Sequence, residues 1–150
     1  MYNTSHGPIT LDLFASNLTA KTQKFFSKYW CEGSAGVDSF AYNWGQDICW
    51  VVPPPPFLVP KTILHMKQCK GVGIMIVPEW KSSLFWPLIH NGKTWAEGIS
   101  MLARYIKPSN FFISCPYGMI HSQRSHSPVM LLYCCLTTKA REFKVNKFEI

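Results

Sequence analysis

Acid is scarce in this chain: Asp and Glu total 8 of 150 residues, and all charged residues together make 15% of the sequence against 47% hydrophobic ones. So little charge with so much apolar content excludes disordered, collagen-like and coiled-coil classes. Long apolar runs are also missing, because Pro78, Lys81, His90 and Lys93 interrupt the best stretch well short of the roughly 20 residues a spanning helix needs. No membrane partner is expected. The opening MYNTSHGPIT lacks a basic start and an apolar segment, so the reading is an intracellular protein, cytoplasmic or nuclear. The cysteines, at 31, 49, 69, 115, 134 and 135, include no CxxC pair. In a reducing compartment they read as small buried hydrophobes, and no metal site is expected. The acids Asp12, Glu32, Asp38, Asp47, Glu79, Glu97, Glu142 and Glu149 form no tight pair suited to two-metal chemistry. None of the five histidines has a Ser or Cys partner at a recognisable spacing.

What is present is positive charge. Lys and Arg total 15, giving a net charge of +7. Lys61, Lys67 and Lys70 share a short acid-free segment, and Lys139, Arg141, Lys144 and Lys147 crowd the tail. Phosphate neutralisation with counterion release makes nucleic acid the favoured polyanionic partner. Most of these cations are Lys, a point charge without the bidentate fork that reads guanine, so the expected contact is sequence-independent.

No internal repeat or long linker appears, and 150 residues leave no room for a second core. LDLFASNL, residues 11–18, reads as a short strand entering a turn or helix start. Residues 25–50 are rich in large rings between glycines, predicting short strands and irregular chain packed by aromatics. ICWVV, 48–52, is a buried strand ended by Pro53 to Pro56. Pro60 suits the first turn of a helix over 60–70, stopped by Gly71 and Gly73. IMIV, 74–77, is wholly apolar, as expected for a strand buried on both faces, and completes a βαβ unit. The segment after it predicts a helical turn near Trp86, and 94–106 predicts a second helix from the spacing of Trp95, Ile99, Leu102 and Ile106. Strands are expected at 111–114 and 129–137. The fold class is α/β, with a mostly parallel sheet and an antiparallel edge.

Ligands of open α/β sheets bind beyond the carboxyl ends of the strands, which directs attention to 12–17, 52–57 and Glu79 with Trp80. Asp12 and Asn17 suit a ribose or amino group, or else a helix cap. The proline run fixes Phe57 behind carbonyls that have few internal donors. Such a loop either presents carbonyls and a stacking ring to a flat ligand such as a nucleobase, or is a packed crossover without a ligand.

LDLFASNLTAKTQKFFSKYW, then VDSFAYNWGQDICWVVPPPPFLVPKTILHMKQCKGVGIMIVPEWKSSLFWPLI, resembles the segment that follows the ribonuclease H domain in polyproteins of DIRS-type, tyrosine-recombinase retrotransposons. The likeness covers roughly residues 9–90, and SPVMLLYCCLT looks like the same segment's closing strand. That segment is in turn similar to phage-type DNA N6-adenine methyltransferases. The resemblance implies a three-layer, Rossmann-like methyltransferase-type sandwich over residues 1–137, followed by a basic tail, 138–150. It places Asp12, with Asn17, on the S-adenosylmethionine side. It gives the Pro53–Pro54 loop a carbonyl for the adenine amine, and Phe57 a stacking face for a flipped base. The family's Asn falls on Val52, which accepts no hydrogen bond. Losing such a contact costs about 2.7–4 kcal/mol in the transition state. The loop carries extra prolines, and no glycine-rich turn follows DLFAS. The expectation is therefore a retrotransposon-derived, non-catalytic domain that contacts nucleic acid through Lys61, Lys67, Lys70, Lys139, Arg141 and Lys144 and needs no cofactor. The alternatives are a residual adenine methyltransferase using S-adenosylmethionine and a structural spacer between polyprotein modules.

Overall fold

Alternating apolar residues in four adjacent strands build a sheet with two greasy faces. The structure, a computed structural model, describes residues 3–52, 56–105 and 128–136. A short antiparallel ribbon, β1 (Asn3–Thr4) and β2 (Gly7–Pro8), precedes the main sheet. The sheet itself comprises β3 (Leu11–Asp12), β4 (Lys24–Ser27), β5 (Gly36–Val37), β6 (Ile48–Val51), β7 (Val72–Pro78), β8 (Ile99–Tyr105) and β9 (Val129–Cys135). Its order is β5-β4-β3-β6-β7-β9-β8. The first five in that order run parallel. β9 is antiparallel to both β7 and β8, so the antiparallel strand stands one place inside the edge and β8 again runs with the parallel set.

Register explains the two cores. Cys49 and Val51 of β6, Met75 and Val77 of β7, and Met130, Leu132 and Cys134 of β9 point to one face. Trp50, Ile74, Ile76, Leu131, Tyr133 and Cys135 point to the other. This period of two on both faces is the signature of a sheet buried on each side. Gly73 interrupts it where β6 and β7 approach closely: a Cβ there would collide with the Cys49 carbonyl.

The expected βαβ unit is present as β6, helix α1 (Val59–Gln68) and β7. Pro60 lies in the first turn of α1, and Val59, Ile63 and Met66 bury its apolar stripe against the first face. The helix ends in a Schellman-type cap: Gly71 N donates to Met66 O (2.9 Å) and Lys70 N to Lys67 O (3.1 Å). Lys70 occupies the left-handed position at φ 54°. The turn near Trp86 is helix α2 (Trp86–Ile89), which packs on the same face through Ile89. Among the described residues, both helices contact this first face only.

The helix expected over 94–106 is not formed. The chain there makes a turn at 91–94 and then strand β8. Gly98 at φ 78° breaks any helix before it can propagate, and the Asn91 side chain closes the preceding turn by accepting from Lys93 N (2.9 Å) and Thr94 N (2.8 Å). The helix-like spacing comes from a strand buried on both faces: Trp95 and Ile99 pack on the first core and Leu102 on the second, and a register slip between Met101 and Ala103 adds Ala103 to the second face. The strand expected at 111–114 and the tail from 138 lie outside the described residues.

Candidate functional site at the carboxyl edge of the sheet

Chain order along the sheet reverses between β3 and β6. From β3 the chain steps outward through β4 and β5, then returns to lay β6 on the other side of β3 and continues to β7. The loops leaving adjacent parallel strands at such a switch point diverge to opposite sides and leave a crevice. The loop after Asp12 and the loop after Val51 are those two, the pair that sequence reasoning singled out.

Asp12 ends β3 and is 3% exposed. Its carboxylate accepts from Lys21 N through one oxygen (3.0 Å) and from Phe14 N through the other (3.4 Å). The side chain thus closes the 13–21 loop. No helix follows it, so the helix-capping role open to Asp12 and Asn17 is corrected to loop closure by Asp12 alone. Burial raises the Asp12 carboxyl above its ordinary 3.8, against the lowering pull of the two N–H donors and the Lys21 charge. Asn17 is exposed on a turn held by Thr19 N and Ala20 N donating to Ser16 O (3.1 and 2.9 Å).

Val52 follows β6 and packs half-buried against the second-face cluster. It brings an apolar branch where an amide would be needed to hold an amine. Phe57 sits in a 3-10 turn (Pro56–Leu58) leading into α1 and is 76% exposed. Pro53 and Pro54 lie outside the described residues, as do Lys139, Arg141 and Lys144.

The first core continues under this edge as an aromatic group. Trp44 is completely buried and donates Nε1–H to Ser39 O (2.8 Å). Phe14 meets it edge-on at 6.4 Å, and Phe40 and His65 approach at 5.6 and 4.3 Å. Lys61, near the start of α1, places Nζ 4.3 Å from the Phe40 ring centroid, so one of the expected nucleic-acid cations also caps this group. Lys67 and Lys70 are exposed at the other end of α1, toward the amino edge of the sheet. Six residues of helical rise put Lys61 and Lys67 roughly 9 Å apart along α1, and Lys70 lies beyond its end. The expected lysine cluster is therefore a line along α1 with only Lys61 near the switch point.

Sequence reasoning missed two rings here. Tyr29 and Trp30, expected to pack inside with the other aromatics of 25–50, stand 69% and 80% exposed directly after β4. Their signal was local: Phe25, Phe26 and Ser27 fill the strand, and the next residues, Lys28, Tyr29 and Trp30, have passed its end. Among the described residues no cluster of three His, Cys, Asp or Glu could hold a metal ion, and no helix is long and apolar enough to cross a membrane.

No family model, curated protein or solved structure matches the chain.

Proposed function

We propose that the chain is a retrotransposon-polyprotein-derived domain with a degenerate methyltransferase-type sandwich that contacts nucleic acid without catalysis. The observation that carries the non-catalytic half is at the switch point: Val52 contributes an apolar branch packed into the core, and the Asp12 carboxylate is spent on its own loop. An amide for an amine and a free acid for a cofactor are both absent from those positions. The lineage is supported by the mostly parallel sheet, with its reversal between β3 and β6 and one antiparallel strand near the far edge. Sequence-independent contact is supported by the net charge of +7 and by exposed Lys61, Lys67 and Lys70 along α1.

The test is fluorescence anisotropy with labelled oligonucleotides of unrelated sequence across a salt series. Binding that weakens linearly in log salt, by a slope of about −0.9 per phosphate contact on duplex, is the expected result. Absence of binding at low salt refutes the proposal.

The alternative of a residual adenine methyltransferase is favoured by one feature, the position of Asp12 at the end of β3 beside β6. Calorimetry with S-adenosylmethionine separates the two. Silence at millimolar cofactor supports the non-catalytic reading, and an isotherm abolished in Asp12→Ala establishes the alternative.

A further inference from the structure

Across the described residues, the five most exposed large apolar side chains are Leu84 (91%), Leu18 (90%), Trp30 (80%), Phe57 (76%) and Tyr29 (69%). They are distant in sequence, yet every one lies on a loop that leaves the carboxyl end of a parallel strand: Leu18 after β3, Tyr29 and Trp30 after β4, Phe57 after β6 and Leu84 after β7. The strands concerned are consecutive in the sheet. The loops after β4 and β6 straddle β3 at two strand spacings, roughly 10 Å. A protein surface normally scatters such side chains singly, and here every loop that carries one leaves the same edge of the sheet.

From this we infer that the rings of the carboxyl edge, Trp30 and Tyr29 with Phe57, form a stacking platform for the bases of a single-stranded nucleic acid. The inference rests on the nucleic-acid reading above and specifies its ligand and its surface. Every base offers a flat face, and aromatic side chains bind successive bases without sequence preference. In a duplex those faces are buried in the stack and unavailable to surface rings. Cations accompany the rings: Lys28 Nζ lies 5.2 Å from the Tyr29 centroid, and Lys61 is exposed beside Phe40. Acids are there too. Glu32 is on the same loop as Trp30, Asp38 follows β5, and Glu79 is paired with Arg104 (2.6 Å) and Lys81 (3.7 Å). Charge on this edge is therefore close to balanced, and stacking rather than phosphate neutralisation must supply the preference for a single strand. A second copy of this chain is the rival occupant, and a net charge of +7 on each copy opposes it.

The test compares a fluorescein-labelled oligo-dT strand of about 16 nucleotides, the upper end of single-strand site sizes, with a mixed-sequence duplex of equal length. Variants are Trp30→Ala, Tyr29→Ala, Trp30→Phe and Lys67→Ala, all at exposed positions. Loss of one stacking ring weakens single-strand binding about 5- to 100-fold. Trp30→Ala should do this while leaving duplex binding and the salt slope unchanged, and Trp30→Phe should restore most of the affinity. Lys67→Ala should weaken both probes alike and make the salt dependence shallower. The inference is overturned if duplex binds as tightly as oligo-dT, or if both alanine variants bind the strand like the parent chain. Self-association abolished by Trp30→Ala, without any effect on oligo-dT, would assign the rings to a contact between copies and also overturn it. Failure of every oligonucleotide to bind removes the functional reading itself, a different result from the loss of strand preference.

Discussion

Replacing Trp44 by Phe tests the packing that ties the loop after β3 to helix α1. Trp44 belongs to the segment that brings the chain back from β5 to β6, and it touches Phe14 of one loop and His65 of α1. Phe keeps a ring in the cavity but removes the Nε1–H that reaches Ser39 O at 2.8 Å. That carbonyl retains a second donor, Tyr42 N at 3.2 Å, so it is not orphaned and the lost bond costs the ordinary net amount, about 0.5–1.5 kcal/mol. The fused ring atoms lost from a site of zero exposure add about 1–2 kcal/mol in transfer and cavity terms. The sum is about 1.5–3.5 kcal/mol, a fall in Tm of about 3–14 °C for a chain of this length. Urea unfolding followed by far-ultraviolet circular dichroism should show a lower midpoint at unchanged m. Trp30→Phe, at an exposed position, serves as the control and should shift stability by less than about 0.5 kcal/mol. A Trp44→Phe change no larger than that control would refute the reasoning.

Lys70→Gly should stabilise the chain by about 1 kcal/mol in the same unfolding assay, because it relieves a lysine held at φ 54° at the helix end. Gly98→Ala should destabilise by about 2–4 kcal/mol, since φ is 78° and the new Cβ meets the Cys135 carbonyl. Asp12, with its folded pKa raised by burial, binds its proton more readily folded than unfolded. Its contribution is full below the ordinary value of 3.8 and falls as pH rises through the folded pKa. Urea midpoints from pH 7 to about 4 should therefore move in favour of the parent chain over Asp12→Asn as pH falls. Burial pushes the Cys134 thiol up to about 12 and Cys49 higher still, so neither should react with a thiol reagent at pH 8 until the protein unfolds.

Legibility in the sequence followed how local the determining physics was. The β6–α1–β7 unit could be read because its signals are short-range: β-branched strands, prolines before a helix, glycines after it. The switch-point loops could be read because Asp12 and Val52 stand at strand ends that those signals define. β8 could not be read from apolar spacing alone. Its apolar residues fall on opposite faces, Ile99 on the first core and Leu102 on the second, and a strand buried on both sides so imitates a helical period, although Asn91-Gly92 announces a turn just upstream. Tyr29 and Trp30 were assigned to the core because composition says nothing about where β4 stops.

The amino-acid sequence by itself determined the α/β class, the parallel pairing around α1, the apolar residue at position 52 and the positive charge, since each depends on residues a few positions apart. Only the tertiary structure decided that β3 lies between β4 and β6, that Asp12 serves its own loop, that the lysines of α1 run away from the switch point, and that the loops carrying the five most exposed large apolar side chains all leave one edge of the sheet. Those outcomes depend on which strand pairs with which. Such pairing is set by the burial of two whole sheet faces at once, a sum over distant residues that no short window of sequence contains.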